Sequence, residues 1–226
     1  MCLLCRRSAA CNKVFDVAPA KRTKLSDNYT PMSSPSTPTK RPDAATRRAQ
    51  LLDAADAVFA EHGVQAPLEL IVERAGVGRA TLYRQFPDRR AIMLALLERS
   101  VQRLEVFAQS LRERDDAFFV LLERVAQRMA YSAAMSDYWR TSAQDDNTFE
   151  QAHTRAWQVF ADAIERAQRC GLLQPHVTTA DVSLLSSMLG SALRGKTPQA
   201  REALARRALQ IMCDGLRTRP GGDSQS

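Results

Sequence analysis

Long apolar runs are missing from this chain of 226 residues. No stretch approaches the ~18 apolar residues that a membrane-crossing helix needs. The opening Met1-Cys-Leu-Leu-Cys is too short for the apolar region of a secretory signal. The expectation is a cytoplasmic protein with no membrane partner. Histidine is scarce and scattered, at positions 62, 153 and 176, so no catalytic or metal-binding pair is visible. Five cysteines are present, three of them (Cys2, Cys5, Cys11) crowded at the start, with Cys170 and Cys213 alone in helical stretches. Cys2 and Cys5 have a CxxC spacing, but neither a second pair nor a nearby histidine completes a four-ligand zinc site. The nine glycines form no phosphate-cradling loop, and Cys170 has no positioned base in view. Metal, cofactor and enzymatic chemistry are therefore not expected. Strand-like alternation and hairpin dipeptides are lacking too, which excludes a sheet protein.

Charge is present in quantity, and its placement matters more than its sum. The formal net charge is +7, yet residues 1–41 hold eight Lys or Arg against two acids, whereas residues 42–100 balance eight against eight. Residues 101–226 are nearly neutral, at sixteen against fifteen. Bulk charge thus argues only for a basic N-terminal tail. The tail is rich in Ser, Thr and Pro, a composition that buries too little apolar surface to offset chain entropy. Residues 1–41 are expected to be disordered, as are residues 219–226.

With 45% hydrophobic residues, the remainder can bury a real core. Helical periodicity starts after Pro42. Asp43 suits a first turn, Leu51, Leu52, Ala55, Val58 and Phe59 recur at spacings of three and four, and Gly63 ends the helix. Pro67 begins a short second helix through Leu68, Ile71, Val72 and Ala75, stopped by Gly76. A third runs from about residue 78 to 85, and Pro87-Asp88 opens a long fourth. Further segments are expected at about 115–135, 148–170, 179–193 and 198–217. The fold class is all-α, with about nine helices: a three-helix head over 42–90 and a second helical domain over 91–218, the fourth helix bridging them.

Two short helices joined by a glycine turn fit a helix-turn-helix. Ala75 is small where the helices cross, Gly76 takes the turn, and Val77, Leu82 and Phe86 face inward. That leaves Arg79, Ala80, Thr81, Tyr83 and Arg84 projecting outward. Two guanidinium groups, a hydroxyl, a phenol and a methyl suit both phosphates and base edges of double-stranded DNA. Residues 79–90 hold four arginines and one acid, so the local field is positive although the head is neutral.

The run Ala75-Gly-Val-Gly-Arg-Ala-Thr-Leu-Tyr-Arg-Gln-Phe-Pro-Asp-Arg resembles the DNA-reading segment of the TetR family of transcriptional regulators. Leu51-Leu-Asp-Ala-Ala-Asp-Ala-Val-Phe-Ala-Glu-His-Gly is similar to that family's first helix, so the likeness spans about residues 46–97. It implies that Thr81 and Tyr83 bind phosphates, that Arg79 and Ala80 approach bases, and that Arg89 holds a phosphate-binding position. Gln85 departs from the usual His, Val72 from a small Ala, and Pro67 from the Thr or Ser that often caps the second helix. The phrase Gly171-Leu-Leu-Gln-Pro-His-Val-Thr-Thr-Ala-Asp-Val is similar to the family's loop before its penultimate helix.

The second half gathers much of the chain's aromatic and sulfur content, which can fill a core or line a pocket for a small apolar effector. Candidate lining residues are Phe107, Met129, Trp139, Trp157, Phe160 and Met188. The tryptophans lead because each needs volume and a partner for its N–H. The resemblance implies a homodimer through the last two helices, where Leu185, Met188, Leu189 and Ala192 face Leu204, Ala208, Ile211 and Met212. Intramolecular packing would use the same pattern. The function expected is a DNA-binding regulator, a repressor that binds a near-palindromic operator as a dimer and is released by a small ligand. The alternatives are a helical interaction protein without ligand response and, last in order, a small helical enzyme.

Overall fold

The computed structural model describes residues 43–192 and 194–218, together with the backbone but not the side chains of 143–145, 191 and 192. The expected disordered tail and C-terminus lie outside these residues. Ten helices are present among them: α1 Ala44–His62, α2 Leu68–Ala75, α3 Arg79–Gln85, α4 Arg89–Ser110, α5 Ala117–Tyr131, α6 Ala133–Asp145, α7 Asn147–Gln158, α8 Ala161–Arg169, α9 Thr179–Ala192 and α10 Pro198–Leu216. A single antiparallel bridge, Leu173 with Arg217, is the nearest thing to a strand among the described residues.

Local chemistry sets the ends of the first four helices. The Asp43 carboxylate accepts from the Thr46 N–H at 2.7 Å, and Asp88 does the same for Ala91 at the start of α4. Side chains of this kind satisfy backbone donors that a helix leaves unpaired. Gly76 takes a left-handed conformation (φ 64°) after α2. Its N–H bonds to the Glu73 carbonyl, and the Val77 N–H reaches back to Val72 at 3.2 Å. This is a Schellman closure, which a residue with a Cβ adopts only with strain. Gly171 (φ 66°) closes α8 in the same way, with the Leu172 N–H on the Ala167 carbonyl at 2.8 Å.

Two segments expected to be continuous are broken, so the eight helical segments named from the sequence become ten helices among the described residues, close to the nine or so expected. The 115–135 segment stops at Ser132, whose non-helical backbone (φ −139°, ψ 78°) separates α5 from α6. The 148–170 segment breaks at Val159 and Phe160, where the Phe160 N–H bonds to Trp157 over three residues. Neither break carries a Gly or Pro. Both serve packing: the first lets α6 send Met135 and Trp139 into the core around α1 and α4, and the second buries Phe160 against α5.

The apolar interior falls into two clusters. One gathers Leu51, Val58 and Phe59 of α1, Ile71, Leu82, Phe86 and the first half of α4, and then takes in Trp139, Phe149 and Ala156 from α6 and α7. The other is built from α5, α8, α9 and α10. The reading head is therefore packed against α6 and α7 as well as on itself. Polar ties follow the same route. Arg90 of α4 donates from Nε to Asp146, the cap of α7, at 2.7 Å, and Arg155 of α7 pairs with Glu98 and Glu105 of α4.

This packing corrects part of the expected dimer face. Leu185, Leu189 and Met212 are 7%, 0% and 9% exposed and belong to the chain's own core, because α9 and α10 turn one face onto α5. Ala208 is half-buried against the same core. The outward side carries Leu184, Met188, Leu204 and Ile211, each 45–59% exposed. Ala192 closes α9, and its side chain lies outside the described residues.

Candidate DNA-reading helix and internal cavity

The short helix α3 is held from beneath by its own sequence. Leu82 and Phe86 are each 1% exposed, one helical turn apart, and anchor the helix in the head's core. Gly78 caps its start, with its carbonyl accepting from Thr81 and Leu82. The opposite side presents Arg79, Ala80, Tyr83 and Arg84 to solvent, with Thr81 half-buried at the edge. The five outward residues expected from periodicity thus share one surface. Arg79 lies 3.7 Å from Glu69 on α2, a loose, exposed pair of the kind worth ~0–1 kcal/mol, so its guanidinium is held only weakly. Tyr83 is 49% exposed, an uncommon position for a large aromatic ring with no core to serve.

Two arginines brace this helix. Arg89 is half-buried: it donates to the Val64 carbonyl in the α1–α2 loop and lies 5.6 Å over the Phe59 ring. Its expected phosphate position is thus combined with a structural bond that the sequence did not indicate. Arg48, which sequence reasoning passed over, donates to the Gln85 carbonyl at 3.1 Å and stacks 4.3 Å over Phe86. It fastens the end of α3 to α1 across 37 residues, a relation that no local pattern contains. Pro67 precedes α2 without a side-chain capping bond, so the hydroxyl usual there has no substitute.

Within the second half lies a cavity of about 430 Å³, in the range of small-molecule sites. Its apolar wall comes from Leu97, Val101 and Leu104 of α4, Val125 and Met129 of α5, and Trp139, Ala156 and Trp157 of α6 and α7. Ser186 and Gly190 close it from α9, and a Cβ on Gly190 would stand 3.4 Å from the Met129 methyl. Charged residues gather around the same space: Arg103, Arg124, Arg128 and Arg140, with Asp56 and Asp137.

Of the six expected lining residues, Met129, Trp139 and Trp157 do border this cavity. Phe160 does not. It is fully buried, edge-to-face with Phe118 at 6.1 Å, because the break before α8 directs it into the core. Phe107 packs against that core with Arg124 over its ring, and Met188 sits on the outer side of α9. The two tryptophans differ. Trp139 Nε1 donates to the Met93 carbonyl at 3.1 Å, whereas Trp157 Nε1 is buried with no partner among the described residues. Beside it stands His153, edge-on at 4.9 Å, and burial lowers the pKa of that imidazole below its ordinary value. Arg128, Asp56, Ser186 and His153 were missed by a search for aromatic and sulfur side chains. No pattern in the sequence distinguishes them from surface residues.

A glycine-turned helix pair with an outward basic helix defines a helix-turn-helix DNA-binding protein. The comparisons agree. Residues 51–96 match the family described as bacterial regulatory proteins, tetR family, and residues 113–218 match the SbtR-like transcriptional regulator C-terminal domain. Together the two matches cover well over half of the chain, which belongs to the TetR family of transcriptional regulators. It is 36% identical over 185 residues to the HTH-type transcriptional activator FasR of Mycolicibacterium smegmatis, covering 75% of this chain and 83% of that one. Among solved structures, a TetR regulatory protein of Mycobacterium vanbaalenii is 27% identical with a TM-score of 0.57, covering 77% of this chain and 97% of the other. One from Streptomyces coelicolor is 27% identical with a TM-score of 0.57, covering 76% and 98%. The protein is accordingly a DNA-binding transcriptional regulator and not an enzyme, and among the described residues no helix is long and apolar enough to cross a membrane.

Proposed function

We propose that this protein binds a near-palindromic operator as a homodimer, and that a small, largely apolar effector in the internal cavity sets its affinity for DNA. The observation that carries the reading is the position of α4. Its first turn follows the reading helix directly, and two turns further on the same rod supplies Leu97, Val101 and Leu104 to the cavity wall. A ligand pressing on that wall acts on the element that orients α3.

Thr81 and Tyr83 are assigned to phosphates, Arg79 and Ala80 to base edges, and Arg84 to the flanking backbone. Arg89 has five N–H donors, one of them on Val64, so it can hold the loop and still meet a phosphate. A single seven-residue helix touches few base pairs, and two heads roughly 34–36 Å apart would read successive turns of the duplex. The exposed stripe of Leu184, Met188, Leu204 and Ile211 supports pairing through α9 and α10. The expectation of a repressor gives way to the neutral term regulator, since a relative 36% identical is named an activator. The test is a mobility shift on the DNA upstream of the protein's own coding sequence, with and without candidate apolar ligands. A shift that a cavity-filling ligand alters supports the reading. Absence of sequence-selective binding by the dimer overturns it.

A further inference from the structure

Asp56 on α1 is shared by two arginines. Arg128 of α5 approaches it at 2.6 Å and Arg99 of α4 at 3.8 Å, and the carboxylate is only 14% exposed. Arg99 is also anchored elsewhere, donating to Asp53 at 2.7 Å and to the Leu52 carbonyl at 3.0 Å. Arg128 alone of the two borders the cavity. Its guanidinium lies 5.2 Å from the Tyr131 ring centre and 5.9 Å from that of Trp139, both cavity-lining residues. The Arg128 guanidinium thus stands at the cavity wall and is tied there to the first helix of the reading head through Asp56, which lines the same space.

The charge around the cavity is unbalanced. Four arginines face two aspartates, and Asp137 is taken by Arg140. Arg124 lies over the Phe107 ring with no carboxylate at ion-pair distance among the described residues, and Arg103 reaches only Asp53, exposed and at 3.8 Å. The unpartnered Trp157 N–H adds a buried donor in need of an acceptor. Apolar walls, surplus positive charge and an unspent donor together select an apolar body carrying an anionic head.

We propose that the cavity takes an amphipathic anion, an apolar chain ending in an acid group, and that this head draws Arg128 away from Asp56 and so releases α1 from α5. Asp56 is not left bare by the exchange, because Arg99 is already beside it. A buried carboxylate losing its last partner would oppose the transfer strongly; one that passes to a second arginine does not. The inference rests on the effector cavity proposed above and adds the class of ligand and the contact it breaks.

Trp139 and Trp157 are the chain's two tryptophans and both line the cavity, so intrinsic fluorescence of the full chain reports its occupancy. Decanesulfonate and decanol, each below its aggregation limit, are the probes. The wild type should bind the sulfonate about tenfold more tightly than the alcohol, the size expected of one charge-assisted hydrogen bond. Arg128→Gln should bring the two affinities together without moving that for decanol, and Arg128→Lys should restore the preference. Asp56→Asn should tighten sulfonate binding, since Arg128 then has no competitor, and leave decanol unchanged. Hydrogen exchange over residues 44–62 should rise with sulfonate in the wild type and already be raised in Asp56→Asn without it. Equal affinities of the wild type for the two probes overturn the anion while leaving the cavity reading intact, and need no variant to fold. An unchanged preference in Arg128→Gln, or α1 exchange indifferent to sulfonate, overturns the role of the Asp56–Arg128 pair. Binding of neither probe overturns the cavity reading and this inference together.

Discussion

The reading head and the cavity-bearing half put their functional residues in opposite places. In the head, the side chains proposed to meet DNA are those the core rejects: Leu82 and Phe86 point in, and Arg79, Ala80, Tyr83 and Arg84 are left outside within one short helix. In the second half, the proposed effector site is a pocket assembled from helices far apart in sequence, with Leu97, Met129, Trp157 and Ser186 around one space. A site on one helix face is a local property of the chain. A cavity is a property of packing, and it moves whenever a helix breaks or rotates.

The largest effect expected lies where the two halves depend on each other. Leu184→Glu combined with Ile211→Glu places charges on the outward stripe of α9 and α10 without touching the core, so the chain should fold and remain monomeric. Loss of the second head should reduce operator affinity by about 100-fold or more. Sedimentation and mobility shift together check this, and a doubly substituted protein that stays dimeric would show that assembly uses another face. The same charges at Leu189 and Met212 should instead unfold the protein, because those side chains are buried.

Next comes Leu82→Ala, which removes the anchor of the reading helix. A buried Leu-to-Ala change costs about 2–5 kcal/mol, and here it should also abolish operator binding while the cavity's tryptophan signal is retained at low temperature. Thermal unfolding followed by fluorescence and far-ultraviolet dichroism separates those outcomes. Substitutions on the outward face act differently. Tyr83→Ala and Thr81→Ala should weaken operator and unrelated DNA alike, because phosphate contacts carry no direct sequence information. Arg79→Ala should reduce discrimination by about 1–3 kcal/mol, and a competition assay in which its sequence preference is unchanged would shift the register of the reading helix.

The smallest effect belongs to His153. Burial lowers its pKa in the folded protein, so the unfolded chain binds the proton more readily. Stability should be complete above the ordinary value of 6.5 and decline as pH falls below it, until the folded imidazole itself is protonated. The slope contributed is less than about 1.4 kcal/mol per pH unit, and His153→Gln should flatten it in denaturant titrations between pH 5 and 7.

The residues that were legible and those that were not sort by the same distinction. Thr81 and Tyr83 could be placed at the outward surface of the reading helix because a dense run of residues specifies the turn, the inward anchors and the outward face together. Arg48 braces the same helix but was passed over, since its partners Gln85 and Phe86 lie far from it in the chain. Trp139 and Trp157 were sound candidates because a buried tryptophan needs both space and a partner. Phe160 has the same apolar character and lies in the solid core, and only the break before α8 explains the difference. Leu189 and Met188 are neighbours in one apolar pattern, yet one is fully buried and the other about half exposed.

The amino-acid sequence by itself determined the helical class, the first four helices, the glycine stops at Gly63, Gly76 and Gly171, and the reading helix with its outward set. Each of these rests on interactions within a few residues of chain, and the density of the motif carried the family with it. Tertiary structure alone decided that α5 ends at Ser132, that Arg128 meets Asp56 at the cavity wall, and which side of α9 and α10 is outward. These depend on which surfaces meet, and a helix with apolar residues on more than one face does not specify its partner until the others have taken their places.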